Sequence, residues 1–278
     1  MAKQIFYLIT MFVIQAVSCT AKGPNQITMT TNKLGEVTIY MAGSNTVTID
    51  WGDGTENEKQ TLSAYRNEGF ISSHKYNHSY FNKLPHTITI RGQNITHLSC
   101  ENNQLTNLDV SNNTALTFLL CSYNELRNLN ISNNVALVTL YCNHNQLTNL
   151  DISNNIGLTD LWCCSNQLTS LNISKNTALE ALIIENNQLI SLDLSMATML
   201  KVLNCYNNQL TSLNVNKNTS LQYLNCGSNQ QSATSLNTLF STLLDEDLLT
   251  KRINISNNPG TDNCDQSIAI NKGWTVDD

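Results

Sequence analysis

A unit of 21 residues recurs through the middle of the chain, and it restricts the possible folds more than any other feature. Repetition at a fixed step of roughly 20–50 residues is typical of a solenoid, because one turn cannot bury its apolar side chains alone and buries them against its neighbours. We therefore predict a stack of about seven turns. The two columns that define the step are Leu98, Leu119, Leu140, Leu161, Leu182, Leu203 and Leu224, and Asn103, Asn124, Asn145, Asn166, Asn187, Asn208 and Asn229.

The repeat has the form LxxLxCxxNxLxxLxISxNxx, as in residues 116–136, LTFLLCSYNELRNLNISNNVA. It resembles the leucine-rich repeat family, and in particular the nested form in which LxxLxLxxN occurs twice per turn. The resemblance runs from about Ile95 to Asn229. It implies a mainly β leucine-rich repeat solenoid, which we assign to residues 94–235, with each asparagine bonding the backbone at a corner of its turn.

Cysteine occupies the third apolar position of most turns. A disulfide framework, a metal site or a buried ladder of small apolar side chains could each place it there. Stacked side chains run parallel rather than toward one another, and a linear column cannot present four tetrahedral ligands. We therefore predict a buried ladder of free thiols, interrupted by Ile184 in the fifth turn, with Cys164 facing outward and Cys264 beyond the repeats as further free thiols. The ladder comprises Cys100, Cys121, Cys142, Cys163, Cys205 and Cys226.

Residues 26–93 alternate apolar and polar side chains, as in EVTIYM (36–41), TVTIDW (46–51) and HTITIR (86–91). Such alternation predicts strands with one buried face. The set IDWGDGT, His78-Ser79-Tyr80 and TITI resembles the PKD-type immunoglobulin-like sandwich, so we predict a small β-sandwich over 26–93. The segment is shorter than the usual sandwich of about 100 residues, so a strand is either missing or shared with the next domain.

Two sets of side chains in this module could suggest a metal. Asp50 and Asp53 flank a glycine turn, but a calcium site needs about six oxygen ligands, so turn chemistry is the favoured interpretation. His74, His78 and His86 match no metal-ligand spacing, and the PKD resemblance gives His78 a structural role. We predict no metal and no cofactor.

The N-terminus contains one lysine, an apolar stretch from Ile5 to about Val17, and small residues before Cys19. This pattern predicts a signal peptide over residues 1–18. The residues AVSC resemble the lipobox of bacterial lipoproteins, which implies lipidation at Cys19 and a lipidated linker over 19–25, a plain secreted protein being the alternative. We expect a bacterial cell-envelope protein on the outer membrane or cell surface, with the periplasmic face left open.

The outward positions of the second predicted strand are nearly uniform and favour a solvated structural wall, with ion binding as the alternative. Those of the first strand vary, and five of them form an exposed patch that we call the aromatic strip. Exposed apolar patches mark contact sites, unless another part of the chain, such as the N-terminal module, covers them. The wall comprises Asp109, Asn130, Asp151, Asn172, Asp193 and Asn214, and the aromatic strip Phe118, Leu120, Tyr141, Trp162 and Ile183, with Asp160, Glu185 and Glu101 at its rim and Tyr206 and Tyr223 further along.

Residues 236–278 are predicted to form a C-terminal cap. Leucines from Leu236 to Leu244 have helical spacing after Ser235, KRINISNNPG reads as a last strand, and DQSIAINKG reads as a short helix that stops at Gly273. Terminal turns of a solenoid expose a core edge to water, and such a cap closes it.

The sequence favours a binding protein over an enzyme, because it has no motif that pairs a nucleophile with a base, or an acid with a base, and no phosphate loop. The formal net charge of −6 does not fit a nucleic-acid partner. The resemblance to internalin-like and Bacteroidetes surface repeats implies adhesion or recognition of a host or envelope protein. The alternatives are glycan binding, with Trp162 and Tyr141 stacking on sugar rings, and a structural spacer without a ligand.

Overall fold

The computed structural model describes residues 25–63, 74–245 and 251–278. It is mainly β, and its short helices lie at the C-terminal end. No helix in the described ranges is long and apolar enough to cross a membrane. The predicted signal peptide over residues 1–18 and the predicted lipidation site at Cys19 lie outside the described residues.

Six strands precede the repeats, and in several of them alternate side chains are buried, as the period of two predicts. Three of them, β2, β3 and β6, lie where the sequence predicts strands. The six are β1 (Gln26–Thr31), β2 (Gly35–Gly43), β3 (Thr46–Asp50), β4 (Glu58–Thr61), β5 (His74–Tyr80) and β6 (His86–Gly92).

The repeats form a solenoid whose first-strand segments pair in parallel from one turn to the next. Equivalent residues are in register, so that Leu119, Leu140 and Leu161 are successive Cα partners. The leucine column is buried throughout. The strands are β7 (Ile95–Ser99), β8 (Leu105–Asp109), β9 (Phe118–Leu120), β10 (Thr139–Tyr141), β11 (Asp160–Trp162), β12 (Ala181–Ile183), β13 (Val202–Asn204) and β14 (Tyr223–Asn225).

The C-terminal cap begins with helix α1 (Ala233–Thr242), whose N-cap Ser232 accepts a hydrogen bond from the Ser235 amide. Strand β15 (Lys251–Asn254) then continues the parallel sheet, helix α2 (Ser267–Ile270) follows, and strand β16 (Trp274–Asp277) ends it. With β15 the solenoid has about eight turns. The predicted mainly β leucine-rich repeat solenoid with a helical C-terminal cap is confirmed.

The predicted second strand of each turn is present only in the first turn, as β8, and the prediction is wrong for the later turns. The first-turn segment is a strand because it pairs antiparallel with β1 of the N-terminal module. In the later turns the equivalent segments are joined by isolated backbone bonds, such as the 2.8 Å bond from the Gln146 N–H to the Leu126 carbonyl, and side-chain amides bond carbonyls that follow the segment. Asn155, for example, donates to the carbonyls of Ile131 and Asn134 at 3.0 and 2.8 Å.

Each member of the main asparagine column from Asn145 to Asn229 makes four hydrogen bonds, two within its own turn and two to the turn before it. The Asn145 amide nitrogen donates to the carbonyls of Cys142 and Asn143 in its own turn and of Cys121 in the preceding turn, at 3.0–3.2 Å. Its amide oxygen accepts from the Leu126 backbone N–H at 3.0 Å. Asn124, Asn166, Asn187, Asn208 and Asn229 make the corresponding bonds, so the predicted backbone bonding is confirmed.

The cysteine column is buried, as predicted from the alternation. Its six thiols are free, with no exposed surface, and Ile184 occupies the same position in the fifth turn. Burial raises the pKa of each thiol, that of Cys226 to about 12. In this neutral form cysteine packs as a small apolar side chain between the leucines of adjacent turns.

The N-terminal module contributes a strand to each side of the first turn. Strand β2 pairs with β7 in the large sheet, and β1 pairs with β8 in the smaller one. Asn103, the first member of the asparagine column, bonds both the amide and the carbonyl of Thr38 in β2, at 3.0 and 2.6 Å. The module thus takes the place of a preceding turn, and one continuous apolar core runs from Ile27 to Trp274.

The Gly52-Asp53-Gly54 turn of the module is held by side-chain bonds around Asp53. The carboxylate accepts from the Thr55 hydroxyl at 2.7 Å and lies 2.7 Å from the His78 Nε2 atom. The His78 ring stacks on Trp51, with centroids 5.0 Å apart, and the Tyr80 hydroxyl donates to the Trp51 carbonyl. His78 is therefore part of the packing of this turn.

Removal of one member of the asparagine column should destabilise the whole solenoid. In Asn145→Ala one buried amide and three carbonyls lose a partner, and each such loss costs about 1–3 kcal/mol where the group stays buried. We expect a loss of at least about 2 kcal/mol in the free energy of unfolding, measured by urea denaturation. The control is Asn154→Ala, an exposed asparagine of the same turn, with an expected loss under about 0.5 kcal/mol. Equal losses in the two variants would contradict the role of the column.

Acid should weaken the module through Asp53. The hydrogen bond from the Thr55 hydroxyl, followed by that from His78, lowers the Asp53 pKa to about 2. A carboxyl whose pKa is lower in the folded chain contributes stability above its unfolded pKa of about 4 and loses it as the pH falls toward 2. The free energy of unfolding should therefore fall more steeply between pH 4 and pH 2 in the wild type than in Asp53→Asn. Parallel pH profiles would show that Asp53 does not couple protonation to stability.

Candidate functional site

Four of the five residues of the aromatic strip form one column across successive strands of the large sheet. Leu120, Tyr141, Trp162 and Ile183 are Cα partners in β9, β10, β11 and β12. With adjacent strands about 4.8 Å apart, the column is about 14 Å long. Phe118 lies two residues before Leu120 on the same face and stacks on His97, with ring centroids 4.4 Å apart. The structure therefore brings these five residues together on one face of the sheet.

Tyr141 and Trp162 stack on each other at the centre of the strip. Their ring centroids are 4.5 Å apart and the ring planes differ by 21°. Trp162 keeps 38% of its surface exposed, whereas Trp51 and Trp274 are only 1% and 3% exposed. The strip thus presents one tryptophan to solvent, supported from one side by a tyrosine.

Carboxylates lie beside this tryptophan and are held in place by neighbouring side chains. Asp160 is two residues before Trp162 in β11 and accepts a hydrogen bond of 2.6 Å from the Thr159 hydroxyl. Glu185 follows Ile183 on the next turn and accepts a hydrogen bond from the Asn204 side-chain amide. Neither carboxylate forms an ion pair within the part of the chain that the structure describes.

The third rim carboxylate, Glu101, is half-buried at the N-terminal end of the same face. Burial raises its pKa, and the neighbouring hydroxyl groups of Ser122 and Ser99 act in the opposite direction. Burial, followed by the charges of Asp160 and Glu101, also raises the pKa of the Tyr141 hydroxyl. The rim of the strip is therefore acidic.

The described part of the N-terminal module extends the large sheet and leaves the strip exposed. Strands β2 and β5 continue the sheet beyond β7, in the order β9-β7-β2-β5. Within the sheet β10 and β11 pair with each other and with β9 and β12. The exposure of Trp162 shows that the residues of the module that the structure describes do not bury the centre of the strip.

Tyr206 and Tyr223, which we expected further along the binding face, are not part of the continuous column. Tyr206 follows β13 in the sixth turn, and Tyr223 begins β14 in the seventh. Asn204 occupies the position next to Ile183 in the column and interrupts its apolar surface. The two tyrosines therefore lie at least two turns from Trp162.

An exposed ring pair beside the strip was missed by the sequence analysis. Tyr123 and His144 stack with centroids 4.3 Å apart, and Tyr123 is 58% exposed. Both backbones have positive φ, 57° and 50°, at a corner position that holds asparagine or serine in the other turns. A bulky residue in this left-handed conformation is uncommon and costs conformational energy. The replacement of asparagine or serine by Tyr123 and His144 at this position was the sequence signal that could have revealed the pair.

Cys164 differs from the sequence prediction. The alternation gives it an outward position, but the residue is only 8% exposed, so it is not the accessible thiol that we expected. Burial raises its pKa to about 11, and the charge of Glu185 acts in the same direction. Its neighbours in the same column, Ser122 and Asn143, are also buried. These three positions are therefore covered surface next to the aromatic side chains.

The Asp and Asn residues of the wall recur because each of them closes the same local turn in its repeat. In each case the side-chain oxygen of the Asp or Asn accepts from the backbone N–H two residues later, as Asp151 does from Ser153 at 2.9 Å and Asn130 does from Ser132 at 3.1 Å. Because asparagine makes the same bond as aspartate, the turn does not require a charge. No group of three ligand-type side chains suited to a metal ion occurs among the described residues.

Comparison with known proteins gives remote similarities in structure. The functional domain of InlJ from Listeria monocytogenes, described as including a cysteine ladder, is 22% identical over 66% of this chain and 53% of that chain, with a TM-score of 0.33. The internalin InlF from Listeria monocytogenes is 27% identical over 61% and 56%, with a TM-score of 0.48. The leucine-rich repeat domain of APL1B is 21% identical over 53% and 50%, with a TM-score of 0.43.

The chain spans about half the length of these three solved structures. No protein-family model and no curated protein sequence matches it.

The burial of the thiols predicts their reactivity. In the chain from Lys22 onward, only Cys264 of the eight thiols is partly exposed, so at most one thiol should react rapidly with Ellman's reagent in the native protein, and all eight in guanidinium. Cys264→Ser should abolish the rapid phase, and Cys164→Ser should leave it unchanged. A rapid phase lost in Cys164→Ser would mean that this residue is accessible in solution.

Proposed function

We propose that the chain is a binding protein that recognises a protein partner through the aromatic strip. The observation that supports this proposal most directly is the exposure of Trp162 at the centre of a continuous apolar column on the parallel sheet. Residues that dominate binding energy are often tryptophan and tyrosine near the centre of a contact surface, surrounded by a polar rim. The uniform wall on the second segment offers no comparable feature.

A protein partner fits the strip better than a glycan does. Sugar rings stack on open aromatic faces, but the stack of Tyr141 on Trp162 occupies one face of each ring. The column also continues into Leu120 and Ile183, whose aliphatic surfaces complement apolar side chains rather than hydroxyl groups. Glycan binding therefore remains the second outcome to be tested.

The location of the protein is part of the same proposal. The apolar N-terminal stretch and the AVSC sequence support export and a lipid anchor at Cys19. Anchored in this way, the chain would present the strip outside the cytoplasm to host or envelope proteins. The anchor rests on the sequence, because Cys19 lies outside the described residues.

Loss of the two stacked rings should abolish recognition. The soluble chain from Lys22 onward would be used to capture purified host-surface and envelope proteins, and would be applied to a glycan array. For Trp162→Ala with Tyr141→Ala we expect affinity for the captured protein to fall about 30-fold or more, as expected for loss of a binding hot spot of about 2 kcal/mol.

The matched control is Val135→Ala with Ile156→Ala, which removes two exposed apolar side chains from a corner of the solenoid away from the strip. Circular dichroism would establish that all three chains are folded. Equal capture by the wild type and the strip variant would contradict the proposal, and strip-dependent signals on the glycan array alone would establish the glycan alternative.

A further inference from the structure

We propose that the partner places a cationic side chain, arginine or lysine, against Trp162 between Asp160 and Glu185. This inference rests on the proposed function, because it specifies the chemistry of the partner at the same strip. It follows from the position of the two carboxylates, from their hydrogen bonds and from the exposed tryptophan between them.

The two carboxylates flank Trp162 on the sheet surface. Asp160 is on the same strand and the same face, about 6.6 Å away along the chain at a rise of about 3.3 Å per residue. Ile183 is the Cα partner of Trp162, and Glu185 lies two residues beyond it on the same face of the next turn. A group that contacts the exposed part of Trp162 therefore lies between two negative side chains.

These carboxylates lack a cationic partner in the described chain but are held in position. Asp160 accepts from the Thr159 hydroxyl, and Glu185 accepts from the Asn204 amide, both of which are neutral donors. Two basic side chains further along the sheet are already paired, Lys201 with Glu180 at 2.6 Å and Arg252 with Asp277 at 3.0 Å. The negative charge at the strip is therefore available to an external cation.

The tryptophan adds a second attraction for a cation. The face of an indole ring is electron-rich and attracts an ammonium or guanidinium group within about 6 Å of its centre. Arginine suits the place particularly well, because its planar group stacks on an aromatic ring while its N–H groups bond carboxylates. An anionic side chain at the same position would be repelled by both carboxylates.

A defined probe tests this inference without the natural partner. Trp162 is the exposed tryptophan of the three in the chain, so a change in tryptophan emission on titration reports this position. The probes are a hexa-arginine peptide and a hexa-citrulline peptide of the same length, which has nearly the same side-chain shape without the charge. We expect saturable binding of hexa-arginine, weakened by salt, and affinity for hexa-citrulline at least about ten-fold lower.

Variants separate the proposed contact from a general attraction to an acidic protein. In Asp160→Asn with Glu185→Gln we expect affinity for hexa-arginine to fall about ten-fold. The control is Asp151→Asn with Asp193→Asn, which changes the net charge by the same amount on the wall, where other turns carry asparagine with the same hydrogen bond. Its affinity should stay within about two-fold of the wild type.

The outcomes distinguish this inference from the proposed function. Equal binding of the two peptides, or equal losses in the two variants, would overturn the cation contact even if Trp162→Ala with Tyr141→Ala still lost the protein partner. A captured partner whose affinity is unchanged by Asp160→Asn with Glu185→Gln would also overturn it. Loss of hexa-arginine affinity in that variant alone, with the same loss for the captured protein, would support it.

Discussion

The hydrogen bonds of the asparagine column are the interaction on which the rest of the structure depends. Each turn bends sharply at a corner, and the bend removes backbone groups from the strand ladder where water cannot reach them. One buried side-chain amide such as Asn145 satisfies three carbonyls and one amide of two consecutive turns. Because an unpaired buried polar group is costly, the leucine and cysteine core can form only where these bonds are made.

The first and last members of the asparagine column also need hydrogen-bond partners, and segments outside the repeats provide them. At the N-terminal side β2 gives Asn103 the backbone groups that a preceding turn would otherwise provide. At the C-terminal side Asn258 continues the bonding to Cys226 and Ile255, and α1 buries Leu236, Leu239 and Phe240. Between the two ends, the outward face of the first-strand sheet is the surface that can vary without disturbing the stack, and the aromatic strip lies there.

Much of this arrangement was predictable because periodicity fixes which side chains share a column. The leucine, cysteine and asparagine columns and the five residues of the strip follow from a step of 21 residues and from the alternation along a strand, and the helical cap follows from the helical spacing of its leucines. The step does not specify hydrogen bonding, so second strands were predicted in turns where only isolated backbone bonds and side-chain amide bonds join the segments. The step also does not specify which outward side chains are covered by neighbouring side chains, so the burial of Cys164 was not predicted. The stacked rings of Tyr123 and His144 were missed for the same reason, because the step does not specify contacts between side chains.

The same hydrogen bonds recur between each pair of successive turns, so the number of turns can change without changing the contacts between them. Gain or loss of one 21-residue unit in the interior leaves every remaining turn with the same kind of neighbour on both sides, and it leaves the two ends untouched. The distance between the N-terminal module and the C-terminal cap then changes by about 4.8 Å, the spacing of one strand. Duplication or deletion within the gene can therefore lengthen or shorten the protein in fixed increments without any new chemistry at its boundaries.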